Sequence, residues 1–394
     1  MSTKILKVYL LATFLINFSH SFFFATYSLF LASRGLDLME LNSVNIFFML
    51  FAVFSEIPTG VFADSFGRKK SILAGCFLFS ASFLVYFLSF SFWLFVAAEL
   101  IGALANAFIS GALDAWVIST LKENNFNGVW KKVFIQEGDR RIIGYGLGGL
   151  FGAYLGNFDL SYPWLAGSIS FFVMAIAFSF ILKEEYFKKE KVRKKIFQIA
   201  KEGCIYSWKR KAIFYITLFG LVSTLVLQAI NMQWQILLEG SFEMSVLNLG
   251  WSFFFMSVFM FIGNRLAEKF SEISRREEVP IILSQTITAF GIGIAAFFSD
   301  FSIIIAGLMI HQSGRAMLEP LKKTFINHRI NDEKIRATVN SFSAMMVKGG
   351  AVIGLLISGY LGKNYSITLA WQTSAAILIA SIPLFLKFNY RGKT

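Results

Sequence analysis

The chain has 394 residues and a formal net charge of +13, and 56% of its residues are hydrophobic, 17% aromatic and 15% charged. Soluble globular proteins are about 45–50% apolar and about 25% charged, so this composition excludes a soluble enzyme and a disordered chain. The basic residues lie in short segments between apolar runs, which indicates membrane topology and gives no reason to expect a nucleic-acid partner. Cys76 and Cys204 have no CxxC or Cys/His spacing, so we expect neither a disulfide nor a metal site.

Apolar runs of about 20 residues, the length that spans a bilayer, follow one another along the chain. Backbone groups in lipid must be satisfied within their own segment, so each run is predicted to be a helix. The predicted spans are 8–32, 41–63, 71–90, 93–120, 133–157, 162–182, 212–238, 245–266, 279–299, 301–321, 337–361 and 366–386. The predicted fold class is therefore an all-α membrane protein with twelve transmembrane helices in two six-helix bundles.

The distribution of basic residues predicts the orientation. With the N-terminus in the cytoplasm, 33 of the 37 Lys and Arg residues fall in the N-terminus, the even-to-odd loops, the start of span five and the C-terminus. Arg34 and Lys363 fall outside, and Arg315 and Lys348 lie within spans. This asymmetry follows the positive-inside rule. We predict a multi-pass protein of the cell (inner or plasma) membrane with both termini in the cytoplasm, and we expect a monomer.

The longest polar stretch, 183–211, contains eleven Lys and Arg residues and separates the first six spans from the last six. The predicted domains are an N-terminal bundle at 1–182, a cytoplasmic basic linker at 183–211 and a C-terminal bundle at 212–394. The linker either lies on anionic lipid or is a solvated segment that only fixes the topology. A shift of 203 residues superposes four glycines of the two halves, which favours a parallel repeat. The superposed pairs are Gly60 and Gly263, Gly111 and Gly314, Gly146 and Gly349, and Gly156 and Gly359.

The loop after span two reads GVFADSFGRKK over residues 60–70. This segment resembles the G-x-x-x-D-x-x-G-R-[KR]-[KR] signature of the loop between spans two and three in the major facilitator superfamily. The preceding EIPTG at 56–60 and the RAT at 336–338 extend the resemblance, which covers the whole chain. Span five carries six glycines over 144–156 and is similar to the drug–proton antiporter branch of that family.

The resemblance implies the fold of that superfamily and a role for this loop as a latch of the outward-facing state. The implied latch residues are Gly60, Asp64, Gly67, Arg68 and Lys69. Gly60 allows close helix approach, Gly67 permits a turn that other residues resist, and Asp64 suits the N-terminus of a neighbouring helix. Arg68 can pair with a carboxylate on the next span. Alternatively, the basic residues of the loop only fix the topology.

Polar residues within the spans form stripes at helical spacing. A charge at the bilayer centre costs at least about 2.5–3.5 kcal/mol on insertion scales, so each one indicates a function. The stripes comprise Asn17 and His20 of span one, Glu99, Asn106, Ser110 and Asp114 of span four, Gln228, Asn231 and Gln235 of span seven, and His311, Arg315 and Glu319 of span ten. By resemblance, these four spans line the central cavity of the family.

Four carboxylates are the predicted proton-coupling residues: Glu56, Glu99, Asp114 and Glu319. Glu99 lies near the outer end of span four and is placed to load protons from outside. Glu56 and Asp114 lie in the inner half, where an ion pair with Arg68 is the alternative role. Glu319 could instead be an interfacial residue.

The second half carries the positive intramembrane charge, because Lys348 lies near the middle of span eleven. We therefore predict that first-half carboxylates handle protons while second-half residues meet an anionic or zwitterionic substrate. The predicted substrate-binding residues are Asn17, His20, Asn106, Ser110, Gln228, Asn231, Gln235, His311, Arg315 and Lys348. The alternative is that the cations bridge to carboxylates and touch no substrate.

These features predict a secondary active transporter and not an enzyme, since the chain has no HExxH, GxSxG or metal-ligand cluster. The chain also lacks a Walker-type phosphate loop, so ATP as the energy source is unsupported and we expect no cofactor. The carboxylates and a histidine within the spans favour a proton gradient as the energy source. The predicted function is proton-coupled export of a small organic molecule by rocking-bundle alternating access. The cargo is either drug-like or an anionic metabolite such as a siderophore. A lipid or lysolipid flippase of the same fold and a proton-coupled importer of a small metabolite are the alternatives.

Overall fold

A computed structural model describes residues 2–126, 128–184, 196–274, 276–330 and 333–386. These residues form helices and connecting turns, without a strand in the described ranges. The helices are α1 Ser2–His20, α2 Tyr27–Ser33, α3 Leu38–Phe66, α4 Arg68–Leu88, α5 Phe92–Glu123, α6 Trp130–Gly156, α7 Tyr162–Ile181, α8 Ile196–Lys209, α9 Lys211–Phe242, α10 Val246–Ile273, α11 Glu278–Phe297, α12 Phe301–Arg329, α13 Glu333–Asn364 and α14 Ile367–Leu386.

Ten helical segments of the described chain are long and apolar enough to cross a membrane, and α14 contains a shorter apolar helix at Ile367–Pro383. The predicted fifth span is absent from this set because α6 begins with the charged sequence WKKVFIQEGDRR. Its remaining residues form a glycine-rich apolar half. With α6 and α14, all twelve predicted spans have helical counterparts, and the predicted fold class is confirmed.

The described residues fall into two compact units. The first comprises Met1–Gly35, Phe47–Arg193 and Met244–Phe254, and the second comprises Leu36–Ile46, Lys194–Glu243 and Phe255–Thr394. The domain boundaries proposed from the sequence stay a prediction. Residues 185–195 of the predicted linker lie outside the described residues, and α8 occupies much of the linker's remainder.

The predicted first span is interrupted rather than continuous, because a 3₁₀ turn at Ser21–Phe23 separates α1 from α2. The Ser21 hydroxyl donates to the Phe18 carbonyl at 3.0 Å and lies 3.3 Å from the Gly144 carbonyl of α6. Such side-chain hydroxyls compete with regular helix hydrogen bonds. The interruption matters for function because α2 begins at Tyr27, whose hydroxyl belongs to the candidate site.

Glycines bring α6 against the first span within unit one. A methyl group added at Gly148 or Gly152 would overlap the backbone carbonyl of Phe18 or Phe22. In unit two, Gly350 and Gly354 bring α13 equally close to the backbone of α9. In unit two, the glycines that allow the close approach of two helices are therefore Gly350 and Gly354. Gly349, which the sequence repeat pairs with Gly146, does not take part in this approach. Nothing lies within 4 Å of a methyl group placed at Gly349.

A charged cluster joins the start of α11 to the end of α12. His328 Nδ1 lies 2.5 Å from Glu277 Oε1, Arg329 also pairs with Glu277, and Arg329 Nη2 lies 2.9 Å from Glu278 Oε1. Burial raises the pKa of the Glu277 carboxyl, but the hydrogen bonds from His328 and Arg329 outweigh burial and hold this pKa below its ordinary value of 4.5.

The lowered pKa of Glu277 predicts a pH-dependent contribution to stability. Since the folded-state pKa lies below the unfolded one, the stabilisation is complete above the ordinary pKa and is lost as pH falls through the lowered one. The cluster is partly exposed, so the contribution is roughly 0.2–1 kcal/mol. Between about pH 6 and pH 3, the melting temperature of the wild type should fall more than that of Glu277→Gln. Glu239→Gln should keep the wild-type slope, and equal slopes in all three proteins would contradict the assignment.

Candidate functional site

Glu99 of α5 is the most deeply buried of the four predicted proton-coupling carboxylates, with 9% of its surface exposed. Tyr27 of α2 donates a hydrogen bond to Glu99 Oε1 at 2.8 Å, and Tyr86 of α4 donates to the same oxygen at 2.5 Å. The two phenol oxygens lie 3.4 Å apart. Three helices thus converge on one carboxylate oxygen, and hydroxyl donors reduce the cost of burying its charge.

Aromatic rings enclose this carboxylate. The Trp164 ring of α7 stacks on Tyr86 with centroids 3.9 Å apart and planes 9° apart. The Trp164 ring also stacks on the Phe23 ring, with centroids 4.3 Å apart. Its centroid lies 5.5 Å from that of the Phe30 ring. Trp164 is 1% exposed. The rings fix the positions of the phenol donors, so Glu99 occupies an enclosed site with a defined set of hydrogen-bond partners.

The other polar residues of spans one and four have different surroundings. Asp114 is exposed, and Asp114 Oδ1 accepts from the Tyr9 hydroxyl at 2.8 Å. Asn17 donates to the Thr13 carbonyl of its own helix at 2.7 Å. The His20 ring packs against phenylalanine rings, and its centroid lies 5.0 Å from that of the Phe79 ring. Asn106 is partly exposed and Ser110 is exposed.

The predicted latch residues surround the junction of α3 and α4. Glu56 is exposed, whereas Gly60 and Asp64 are partly buried along α3. Gly67 lies between the two helices with φ +106°. Residues that carry a side chain rarely adopt this backbone conformation, whereas glycine does so readily. A methyl group at Gly67 would also lie 2.6 Å from Glu184 Oε2.

Glu184, which follows α7, closes this junction. Its carboxylate accepts hydrogen bonds from the backbone N–H of Arg68 at 2.8 Å and of Lys69 at 2.9 Å. These are the first two N–H groups of α4, which have no partner within the helix. A carboxylate there is also favoured by the helix dipole.

The side chains of Arg68 and Lys69 bind backbone carbonyls. Arg68 Nη1 donates to the Ala115 carbonyl at 3.0 Å, and Lys69 Nζ donates to the Ser179 carbonyl at 2.6 Å. The sequence predicts a carboxylate of the next span as the partner of Arg68. That pairing stays a prediction. The structure shows a carboxylate, Glu184, at the Arg68 backbone N–H, where Gly67 turns the first N–H groups of α4 toward it.

Replacing Glu184 by glutamine should weaken the start of α4. The amide keeps one acceptor oxygen but loses the charge and the second acceptor, so we expect a loss of about 0.5–2 kcal/mol, as for other N-terminal caps. Thermal unfolding of the detergent-purified protein measures this loss. Glu123→Gln, at the exposed end of α5, is the control, and an equal melting temperature for both variants would contradict the capping role.

Unit two contains the candidate cationic site. Arg315 Nη1 of α12 donates to Asn231 Oδ1 of α9 at 2.7 Å. The two residues are partly buried, so α9 and α12 present a linked guanidinium and amide. Guanidinium groups suit carboxylates and phosphates because of their planar set of donors.

The remaining predicted residues of this unit lie on α9, α12 and α13. His311 is fully buried one turn before Arg315, and Gln228 donates to the Thr224 carbonyl of its own helix at 3.2 Å. Gln235 is buried, and Lys348 is partly buried on α13.

Glu319 differs from the other candidate carboxylates. It is exposed, and Lys322 Nζ lies 2.9 Å from its Oε2. Lys322 is buried beside Gly220 of α9, seven residues after the partly buried Arg315. An interfacial ion pair is therefore the role that the position of Glu319 favours over proton coupling, and both roles stay predictions.

Several residues of these sites are missing from the sequence-based prediction. Tyr27, Tyr86 and Trp164 lie in apolar runs, where aromatic residues resemble ordinary packing residues. A tyrosine hydroxyl within a predicted span must find a partner in lipid, and this requirement is the signal that could have indicated Tyr27 and Tyr86. Glu184 lies next to the basic linker and is indistinguishable by sequence from a solvated charge.

The described residues contain no group of three or more His, Cys, Asp or Glu side chains that could hold a metal ion. Four of the carboxylates described above are separately engaged with hydroxyl, backbone or lysine donors: Glu99, Asp114, Glu184 and Glu319. The expectation that the protein needs no cofactor stays a prediction.

The family model of the Major Facilitator Superfamily matches residues 9–276 and 216–393. The chain is 32% identical over 156 residues to Multidrug resistance protein 2 of Bacillus subtilis (strain 168), an alignment that covers 38% of each protein. It is 22% identical over 345 residues to Multidrug resistance protein MdtH of Blochmanniella pennsylvanica (strain BPEN), covering 85% of this chain and 80% of that protein. The chain thus spans little more than a third of the first relative's length.

A solved structure has the same fold. The nucleoside transporter NupG superposes with a TM-score of 0.80 at 16% identity, covering 98% of this chain and all of that chain. Members of the matched family are multi-pass membrane transporters of small molecules, which confirms that the protein is not an enzyme. The matches cover nearly the whole chain and agree with the helical counterparts of the twelve predicted spans and with the motif at 60–70, and the chain belongs to the Major Facilitator Superfamily.

Proposed function

We propose that the protein exports a small organic molecule in exchange for protons by rocking-bundle alternating access. Glu99 carries the proton, and the cationic residues of unit two contact the cargo. The observation that carries this proposal is the buried carboxylate of Glu99, whose donors are Tyr27 and Tyr86. A carboxylate buried at this depth is costly, so its retention among aromatic rings is best explained by a function.

The Glu99 site supports proton coupling through its connections. Tyr27 begins α2, directly after the interruption of the first span, and Tyr86 lies near the end of α4. Protonation of Glu99 replaces an acceptor of two charge-assisted hydrogen bonds with a weaker acceptor and a new donor. Protonation of Glu99 therefore changes the hydrogen bonds that connect Tyr27 of α2 and Tyr86 of α4 to α5.

The cargo is drug-like or an anionic metabolite such as a siderophore. Arg315 with Asn231 supports a negatively charged group on the cargo. The names of the two multidrug resistance relatives support export of drug-like compounds. Import of a small metabolite would use the same residues with the opposite direction of coupling, and flipping of lipids would not require the cations.

The remaining features of the proposal concern location. We place the protein in the cell inner membrane as a monomer, with both termini in the cytoplasm, driven by the proton gradient without a cofactor. The basic segments between spans support this orientation.

A ligand screen followed by a transport assay tests the proposed function. Purified protein is heated with cationic, neutral and anionic compounds, and those that raise the melting temperature are candidate cargo. The best stabiliser is then assayed in proteoliposomes with an imposed pH gradient and with fluorescent phospholipids as a scrambling control. Transport that ignores the gradient would reject proton coupling, and lipid scrambling without transport of any compound would favour the flippase.

The guanidinium of Arg315 should select anionic cargo. Replacing Arg315 by glutamine keeps a donor but removes the charge, so the Kd of anionic compounds should rise about tenfold or more, as for other charged hydrogen bonds. Neutral compounds should change little. Thermal-shift titrations measure both, and Arg265→Gln, an exposed position on α10, is the matched control. An equal loss for neutral and anionic compounds would indicate a structural role instead.

A further inference from the structure

Helix α8 lies directly before the spanning helix α9, with only Arg210 between them. One face of α8 packs on α13: Gly203 lies against Phe342, and Ser207, one turn later, is 1% exposed. This face attaches α8 to unit two.

A second face of α8 is apolar although it is exposed. Cys204, Ile205 and Trp208 form this apolar stripe, since Trp208 follows Cys204 by four residues and Ile205 by three. The exposed Lys201 precedes them at the same helical spacing and marks the polar end of the stripe. Ile205 is 45% exposed and Trp208 70% exposed, and Cys204 is exposed as well. A third face is polar, with Gln198 Nε2 donating to Glu202 Oε1 at 3.1 Å.

The apolar stripe continues onto the first turn of the spanning helix. The Trp208 ring packs edge-on against the Phe214 ring of α9, with centroids 5.1 Å apart. The Phe214 ring in turn packs against the Tyr215 ring, with centroids 5.7 Å apart. Helix α9 is long and apolar enough to cross a membrane and begins at Lys211, so Trp208 lies next to the end of a candidate span. Tryptophan and tyrosine rings gather at the ends of spans, at the membrane surface.

Basic residues border the same end of the stripe. Lys209 and Lys211 are exposed, and Arg210 stacks over the Tyr206 ring at 5.0 Å while donating to the Arg329 carbonyl at 3.3 Å. Exposed apolar side chains beside lysines form the pattern of helices that lie in a membrane surface.

We propose that α8 is an interfacial helix whose apolar stripe inserts into the leaflet on the side of the basic loops and whose lysines bind anionic phospholipid headgroups. The occupant is the phosphodiester headgroup and upper acyl region of an anionic glycerophospholipid. Charge complementarity and the continuity of Trp208 with α9 support this occupant over a soluble partner protein. The inference does not depend on the proposed cargo or on proton coupling.

The native cysteines provide the test of insertion. Cys204 is exposed and Cys76 is buried, so a nitroxide thiol reagent labels Cys204 in the full-length protein. Collision rates with oxygen, which concentrates in lipid, and with a water-soluble nickel complex are measured in liposomes of phosphatidylcholine with added phosphatidylglycerol. The Cys204 label should favour oxygen, whereas a label on Gln198→Cys in a Cys204→Ser background should favour nickel. Equal access of nickel to both labels would overturn the proposal, as would shielding that appears only when soluble cell extract is added.

The headgroup preference has its own test. Each lysine near an anionic surface contributes about fivefold to binding, so Lys209→Gln with Lys211→Gln should raise the amount of phosphatidylglycerol needed for half-maximal shielding of Cys204 by more than tenfold. Lys269→Gln with Lys323→Gln, which neutralises two exposed lysines elsewhere in unit two, should leave it unchanged. A Cys204 label equally shielded in pure phosphatidylcholine, in wild type and variant alike, would overturn the proposed headgroup specificity.

Discussion

Replacing Glu99 by glutamine is expected to abolish gradient-driven transport while leaving the fold intact. The amide is nearly isosteric and can still accept from Tyr27 or Tyr86, whose hydroxyls can in turn accept from its NH2 group. The variant cannot exchange a proton, so accumulation of cargo against its gradient should fall to background. Exchange of cargo between equal concentrations should persist, because that exchange needs no net proton movement.

The tyrosines give a graded comparison with this variant. Tyr27→Phe removes one donor to the carboxylate but retains the ring that packs on Trp164 at 6.0 Å. We expect partial loss of coupled transport, since one charge-assisted hydrogen bond contributes about 1.5–3 kcal/mol. Glu40→Gln, an exposed carboxylate at the start of α3, is the matched control and should transport normally. Full coupled transport by Glu99→Gln would remove Glu99 from the mechanism.

Gly152→Ala is expected to destabilise the protein by about 1–3 kcal/mol, the usual cost of overpacking. The added methyl group would overlap the Phe22 carbonyl and lie 2.6 Å from the Phe22 Cα. The obstruction is backbone and not a flexible side chain, so either α6 or the 3₁₀ turn at Ser21–Phe23 must shift. A shifted turn also displaces Tyr27, so coupled transport should fall together with the melting temperature.

Gly293→Ala is the matched control for this substitution. It lies within α11, and nothing is within 4 Å of the added methyl group. Alanine is the better helix former by about 1 kcal/mol, so this variant should be as stable as the wild type or more so. Thermal unfolding in detergent measures both variants, and equal stability of Gly152→Ala and Gly293→Ala would contradict the close approach of α6 to the first span.

The fold could be predicted from the sequence because the membrane imposes it. Runs of apolar residues must form helices in lipid, and their number and the motif at 60–70 identify the family. The interruption after His20 could not be predicted, because it depends on the hydroxyl of Ser21 and on glycines of α6 more than a hundred residues away. Helix α8 was hidden in the basic linker, where charge masks the spacing of its apolar stripe.

The candidate site was only partly predictable. Glu99, Asp114 and Arg315 stand out because charges are rare within spans. Tyr27 and Tyr9, the partners of Glu99 and Asp114, do not stand out. Asn231 does, but one sequence does not reveal which faces of different spans meet, and so does not show that Asn231 binds Arg315. Glu184 illustrates the same limit for the loop motif, because its cap depends on the φ of Gly67 and on where α7 ends.

The most direct measurement of the central claim is cargo accumulation in proteoliposomes under an imposed pH gradient, with wild type and Glu99→Gln reconstituted side by side. The cargo is the compound that most stabilises the wild-type protein. The account predicts that the gradient drives accumulation by the wild type and not by Glu99→Gln, while both proteins bind the compound with similar Kd. Equal accumulation by the two proteins, or transport by the wild type that is independent of the gradient, would contradict it.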